Sequence, residues 1–505
     1  MRHDKKEIYI AIAVLGAIAT MVYSIVRTTL FFYSNYTGVE RAFAISLIAG
    51  ETFVLIHGFG YVLNIIQAVM VPEKIKRALP IKGGEPWVAI LVAARHEPKD
   101  VLENTFLTLT NIKYRNKNIY FLDDSSDEKY RREAEELAKE YSLKLFRRAE
   151  RHGAKAGIVN DCLKTLTEKY VAIFDADQNP LPEFLNILIP MLEGDDKLAF
   201  VQTPQFYTNI GESRIARGAA FQQNVFYEYI CEGKGSNGSM FCCGTNVLFR
   251  RDALMGVGGM DESTVTEDFA TSIKLHTKGW RSLYYNHTYA FGMGPESLTA
   301  YFKQQYRWAI GTITVFKRVV WQLLTRPFSL SISQWWEYLL SSSYYLIGFA
   351  FFLLMICPPA YLLFRVPSFF MRKEIYVMAF IPYIILSVSV FYFALKGREY
   401  KPKDLFLGQL LGVVTITVYM RAAVSAFLGV KTSFGVTEKV RGKAISYLLL
   451  WPQISLIFLN FVAFVWGINR YIYERDPAIL INGFWALYSC ATLSAIFYFN
   501  SEEKR

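Results

Sequence analysis

Tyr170-Val171-Ala172-Ile173-Phe174 is an unbroken apolar run that stops at Asp175-Ala176-Asp177. Five such residues are too few for an ordinary helix and read as a strand buried on both faces. Residues 87–93, 118–122 and 198–202 read the same way, and 118–122 also ends in carboxylates, Asp123-Asp124. Between these runs, residues 99–110, 128–141 and 155–167 carry helical patterning. The alternation predicts an α/β domain around a mainly parallel sheet. Ligands of such sheets bind at the carboxyl ends of the strands, where both acidic clusters fall. Carboxylates two residues apart on an extended turn can aim oxygens at one hard divalent cation, Mg2+ or Mn2+, that bridges to a diphosphate. Such a cation offsets the charge that grows on a departing nucleoside diphosphate.

Of the 505 residues, 52% are hydrophobic and 16% aromatic, too apolar for an ordinary soluble enzyme; the 20% that are charged exclude a wholly membrane-buried chain. A soluble domain joined to bilayer helices fits both. Residues 8–33, 42–71, 336–364, 375–395, 444–468 and 478–499 each suffice to cross about 30 Å of hydrocarbon, giving about six spans. Residues 405–428 are equally apolar, but Lys396, Arg398, Lys401 and Lys403 precede them and Lys431, Lys439, Arg441 and Lys443 follow. Both flanks favour the cytosol, so this stretch is expected to lie on the inner face as an interfacial helix. Arg2, Lys5 and Lys6 place the N-terminus in the cytosol too. The expected divisions are 1–71 with two spans, a cytosolic domain at 72–333, and a C-terminal membrane region at 334–505. The protein is then multi-pass in the plasma membrane, with both termini cytosolic.

The net charge of +11 sits largely beside apolar runs, which points to anionic lipid and away from nucleic acid. Six cysteines without metal-ligand spacing argue against a zinc or disulfide framework. The first apolar run is too long for a signal-peptide core and reads as a retained anchor. Glu51 and His57 are costly in lipid and are expected to face protein or a polar cavity, unless Glu51 snorkels to the outer interface.

Further along, Lys155-Ala156-Gly157, with Asn160 behind, opens an expected helix, and a helix N-terminus with a lysine favours phosphate. Thr266-Glu267-Asp268 is a good N-cap sequence, whatever else it does. In Gln304-Gln305-Tyr306-Arg307-Trp308, Arg307 can grip diphosphate oxygens in a bidentate way, and Trp308 offers a flat face to a sugar ring.

The order Asp123-Asp124, Asp175-x-Asp177, Thr266-Glu267-Asp268 and Gln304-x-x-Arg307-Trp308 resembles the processive, membrane-embedded family 2 glycosyltransferases. The likeness runs from about Trp87 to Lys443. It is nearest to bacterial cellulose synthase catalytic subunits, with hyaluronan and chitin synthases more distant. It implies a GT-A-like cytosolic domain inserted between transmembrane helices. Asp123 would contact the nucleoside, Asp175 and Asp177 the metal and diphosphate, and Lys155, Gln304 and Arg307 the nucleotide sugar. Asp268, with Glu267 beside it, would take the acceptor's proton. Phe241-Cys242-Cys243-Gly244-Thr245-Asn246 is similar to the family's acceptor segment, making Cys243, Gly244 and Thr245 acceptor contacts with Trp308. Thr203-Pro204-Gln205 is similar to its Thr-Pro-His segment. Phe434, Val436, Thr437 and Lys439, within 431–443, look like its gating loop.

Two departures stand out. Arg95-His96-Glu97 replaces the family's Tyr-Asn-Glu, so Arg95 would stack on the base by a cation–π contact beside Glu97. With Arg505 six residues past the last expected span, the cyclic-dinucleotide-binding domain of bacterial cellulose synthases is not expected in this chain. The resemblance implies polymerisation of a cellulose-like β-glucan from UDP-glucose and its passage through the bilayer, with room for accessory subunits. Alternatives are a poly-N-acetylglucosamine, hyaluronan-like or mannan synthase, and a non-processive polyprenyl-phosphate glycosyltransferase. A transporter with a cytosolic regulatory domain is disfavoured by the motif order.

Overall fold

A computed structural model describes residues 3–70, 84–367, 373–396, 400–430 and 444–501. Ten strands occupy its centre: β1 (Val88–Ala94), β2 (Lys117–Asp123), β3 (Lys144–Phe146), β4 (Tyr170–Asp175), β5 (Asn179–Pro180), β6 (Leu198–Gln202), β7 (Phe206–Tyr207), β8 (Val247–Arg250), β9 (Arg281–Tyr284) and β10 (Ala290–Gly292). Seven form one sheet in the order β3-β2-β1-β4-β8-β6-β9, and β5, β10 and β7 form a small second one. In the large sheet all neighbours are parallel except β8, which runs antiparallel to β4 and β6. The four runs read as strands are β1, β2, β4 and β6, and the expected α/β sheet is present.

Both faces of the sheet are covered, which is why its strands are continuously apolar. Alternation sends Val88, Ile90 and Val92 to one face and Ala89 and Leu91 to the other, all 0% exposed. Helices Lys99–Thr110, Glu128–Glu140 and Phe184–Glu193 pack on the first face. Helices Ala154–Leu163, Arg251–Gly256 and Glu267–Thr277 pack on the second. Truncating a fully buried residue such as Ile90 to alanine costs about 2–5 kcal/mol.

Among the described residues, five helices are long and apolar enough to cross a membrane: Glu7–Tyr33, Gly38–Val69, Ile332–Phe364, Tyr447–Glu474 and Pro477–Phe499. Their outward side chains, Ile25, Phe32, Phe458 and Phe484 among them, are exposed and apolar, as a lipid-facing surface requires. The span expected at 375–395 is a helix, Lys373–Lys396. It packs along the first span, where Tyr383 stacks on Tyr23 at 5.0 Å. Glu51 does face protein: Arg27 Nε donates to it at 2.6 Å and Tyr23 Oη at 3.0 Å. His57 likewise lies against the Leu340 carbonyl at 3.2 Å.

The stretch read as one helix over 405–428 is two, Pro402–Val414 and Ile416–Phe427, bent by 45°. The break falls within Val413-Val414-Thr415-Ile416-Thr417-Val418, a β-branched run that helices accept poorly. The first half packs on helix Arg214–Val225, where Arg217 Nη2 meets Asp404 at 2.6 Å. The second packs on helix Leu298–Thr325, where Tyr306 Oη donates to Ser425 Oγ at 2.9 Å. These two helices join the sheet domain to the membrane region.

Candidate active site

Asp175 closes β4. Its N–H donates to Thr245 Oγ1 at 2.8 Å, and its carboxylate is ion-paired with Lys155. Lys155 lies in the first turn of helix Ala154–Leu163 and also donates to the Gly244 carbonyl at 2.8 Å. Burial works against the ammonium, yet Asp175 and Glu267 outweigh it and hold Lys155 above its usual range.

Gly244 has φ +85°, and a Cβ there would come 2.9 Å from Asp268 Oδ2. Glycine therefore satisfies both the left-handed backbone and the close approach of the Phe241–Asn246 segment to Asp268. Because β8 runs antiparallel, the residues that precede it reach the same rim as the residues that follow β4. Asp268 opens helix Glu267–Thr277, and the Phe269 N–H donates to its Oδ1 at 2.8 Å. Burial, then the neighbouring Glu267, pushes its carboxyl up to about 7. Burial raises Glu267 as well, opposed by Lys155 and Arg307. Thr266 occupies the N-cap as expected, but its hydroxyl caps nothing. Instead, Thr266 fits against Gly311 of helix Leu298–Thr325, where a Cβ would collide with it. That contact sets the Thr266-Glu267-Asp268 turn beside Gln304, Arg307 and Trp308, whose i, i+3, i+4 spacing puts them on one helical face.

Asp177 lies near Tyr207, a buried phenol that Gln304 and Gln223 also approach. Among the described residues no group of three or more His, Cys, Asp or Glu could hold a metal ion. Asp175, 41% exposed, and Asp177 are two hard carboxylates, and a cation between them needs oxygens from a diphosphate to complete its shell. The Lys155 ammonium already on Asp175 marks a place that favours positive charge. The donor set fits Mg2+ or Mn2+.

Asp123 and Asp124 are differently placed. Arg147 Nε donates to Asp123 at 2.8 Å, while Arg148 holds Asp124 through two bonds of 2.9 and 2.8 Å, joined by Arg151 at 3.0 Å. These arginines escaped the sequence reading. Parallel register pairs Leu122 with Phe146, so the residues that follow meet pairwise, carboxylate to guanidinium. Arg95 and Glu97 leave β1 beside them; Arg95 Nε is buried with no hydrogen-bond partner among the described residues. Two strand spacings, about 10 Å, separate β2 from β4, so this end and the Asp175 end share one rim.

Cys243 stays half-buried, its N–H donating to Gln202 Oε1 at 2.8 Å. Thr245 is 0% exposed, and its hydroxyl accepts from the Asp175 backbone N–H at 2.8 Å and lies 3.3 Å from Asn246 Oδ1. Phe434, Val436, Thr437 and Lys439 lie outside the described residues.

Residues 170–394 match the family described as glycosyl transferase family group 2. The chain is 26% identical over 98% of its length to the UDP-forming cellulose synthase catalytic subunit of Pseudomonas fluorescens, covering 67% of that relative. It is 25% identical over its whole length to the cellulose synthase 1 catalytic subunit of Komagataeibacter xylinus, covering 68%. It spans only 28% of cellulose synthase 2 from Novacetimonas hansenii, at 25% identity over 89% of this chain. Among solved structures, a mannosyltransferase from Pyrobaculum calidifontis in complex with GDP-Man and Mn2+ shares the fold, with a TM-score of 0.51 and 16% identity over 78% of this chain and 100% of that one. A GT-A-like sheet, a half-buried acid at a helix start and likeness along nearly the whole chain to cellulose synthase catalytic subunits agree with the family 2 glycosyltransferase domain matched over residues 170–394.

Proposed function

We propose that the protein is a processive, inverting glycosyltransferase that extends a cellulose-like β-glucan from UDP-glucose and passes it between its own helices. The reading is supported by the likeness to cellulose synthase catalytic subunits along nearly the whole chain. Asp268 carries it: a half-buried carboxyl pushed up to about 7, set against the glycine of the acceptor segment.

In this reading a hydroxyl of the acceptor sugar gives its proton to Asp268 while its oxygen attacks the anomeric carbon. The bond to the diphosphate breaks on the opposite face, and the diphosphate leaves with the electron pair. A base whose pKa lies near working pH suits that proton transfer. Lys155 and Arg307 hold the diphosphate, Trp308 supports the acceptor ring, and Asp123, Arg95 and Glu97 line the nucleoside end. A divalent cation bound at Asp175 and Asp177 supplies Lewis-acid neutralisation of the leaving group. The catalytic domain, 72–333, faces the cytosol from the plasma membrane. Residues 405–428 lie along its inner surface, held there by their basic flanks.

The test incubates the purified protein with labelled UDP-glucose, UDP-N-acetylglucosamine, UDP-glucuronate and GDP-mannose, each with Mg2+ or Mn2+. Long polymer from UDP-glucose that an endo-β-glucanase digests is expected. One sugar added to a polyprenyl phosphate, or polymer only from another donor, overturns the reading.

A further inference from the structure

Residues 147–155 leave β3 and enter the helix that starts at Ala154, carrying the cations that hold Asp123, Asp124 and Asp175. Residues 257–266 lead into the helix that opens with Glu267-Asp268. In that turn Asp261, 4% exposed, meets Lys274 of the same helix at 2.7 Å and Arg318 of helix Leu298–Thr325 at 3.5 Å. Its neighbour Glu262 reaches the other way. His152 Nδ1 lies 2.7 Å from Glu262 Oε2, and Nε2 lies 2.8 Å from Asp161 Oδ2. A ring facing a carboxylate at each nitrogen can donate at both only as the imidazolium. Asn160 donates to Glu262 Oε1 at 2.7 Å and exchanges two bonds with the Met260 backbone. Gly153, at φ +55°, allows the approach, since a Cβ there would run into the Glu262 carboxylate.

We propose that His152 is a positioning residue of the transfer reaction: held as an imidazolium between Glu262 and Asp161, it clasps the segment that grips the donor to the turn that aims Asp268. The proposal rests on the glycosyltransferase reading above and adds to it the coupling of the donor and base sides of the site. Other charges face the clasp unevenly. Lys164 Nζ, 2.9 Å from Asp161, and Arg148, 4.0 Å away, keep Asp161 compensated without His152. Glu262 has no other cation within ion-pair distance among the described residues, so loss of the ring proton leaves it without an ion pair and leaves one N–H for two carboxylates. Glu262 and Asp161 hold His152 above its usual range. The clasp is therefore at full strength below the ordinary histidine range and is weakened as pH rises through the raised value.

The test measures KM for UDP-glucose and kcat from about pH 5.5 to 9, where histidine titrates and the donor's diester diphosphate does not. The wild type should show KM rising about two- to fivefold on the alkaline side, the scale of a half-exposed ion pair. His152→Gln should hold the raised KM at every pH with kcat within about twofold. His152→Arg keeps a cation and should hold the low KM with the alkaline rise removed. A wild-type profile in His152→Gln, or an alkaline rise retained in His152→Arg, overturns the proposal. Hydrogen exchange supplies a readout without donor: residues 147–153 and 257–266 should both exchange faster in His152→Gln while β1 does not change. Unchanged exchange in either segment also overturns it. A wild type that binds no UDP-glucose refutes the assigned donor, and the exchange measurement still decides the clasp.

Discussion

Two pairs of adjacent acids sit on one rim of the sheet and are treated in opposite ways. Asp123-Asp124 meets three guanidiniums, from Arg147, Arg148 and Arg151. Glu267-Asp268, the first buried and the second half-buried, has no ion pair of its own among the described residues, and desolvation drives both carboxyls upward. The first arrangement fixes a shape at the nucleoside end. The second leaves an acid able to change protonation near neutral pH, which is what a base in the proposed reaction needs. Position after a strand or at a helix start does not separate the two; the company of cations does.

The largest effect should come from Asp268→Asn. Loss of a positioned base costs about 10²–10⁴-fold in the chemical step, so polymer should vanish while donor binding persists. Wild-type kcat should rise with pH through about 7, and any residual rate of the variant should not. Stability should move the other way. The folded state holds this proton more tightly than the unfolded one, so wild-type stability falls as pH rises from the ordinary carboxyl range towards about 7. Asp268→Asn should therefore raise Tm at pH 8; a lowered Tm there breaks the contrast.

Arg148→Ala tests the other pair. Its guanidinium is 5% exposed and the Asp124 carboxylate 10%, and removing one partner of a buried ion pair costs about 3–5 kcal/mol. Denaturant unfolding should show that loss, opposite in sign to Asp268→Asn. Lys155→Ala sits between the two regions. It removes charge-assisted bonds worth about 1.5–3 kcal/mol, so KM for the donor should rise roughly 10- to 100-fold, with the fold intact by circular dichroism. Trp308→Ala should be mildest: a stacking contact worth about 0.5–1.5 kcal/mol is lost from the acceptor side, and product length should shorten while donor KM holds. Full-length product from Trp308→Ala removes that residue from the acceptor platform.

Much of this was legible in the sequence where the signal is local. The runs behind β1, β2, β4 and β6 stand out because both faces of the sheet are covered; Asp175 was singled out by its place at a strand end, and Asp268 by the resemblance of Thr266-Glu267-Asp268. Strand β3 has three residues and β8 four, too short for a pattern to emerge. The 45° bend at Thr415 was hidden because an apolar stretch looks alike straight or broken. The guanidiniums on Asp123 and Asp124 lie 24 and 27 residues along the chain and meet them only through parallel strand register. Thr245 matched a familiar segment, yet only three dimensions reveal that its hydroxyl faces inward to Asp175.

The reversal of β8 has a consequence for how such proteins can diversify. Donor-side groups sit after β2 and β4, whereas Cys243, Gly244 and the approach to Asp268 arrive before β8. In the proposed reading the two halves of the specificity then lie on separate, exchangeable stretches of chain whose tips meet at one edge. A recombinant carrying a relative's 241–250 segment should change which growing end is extended without changing which activated sugar is consumed.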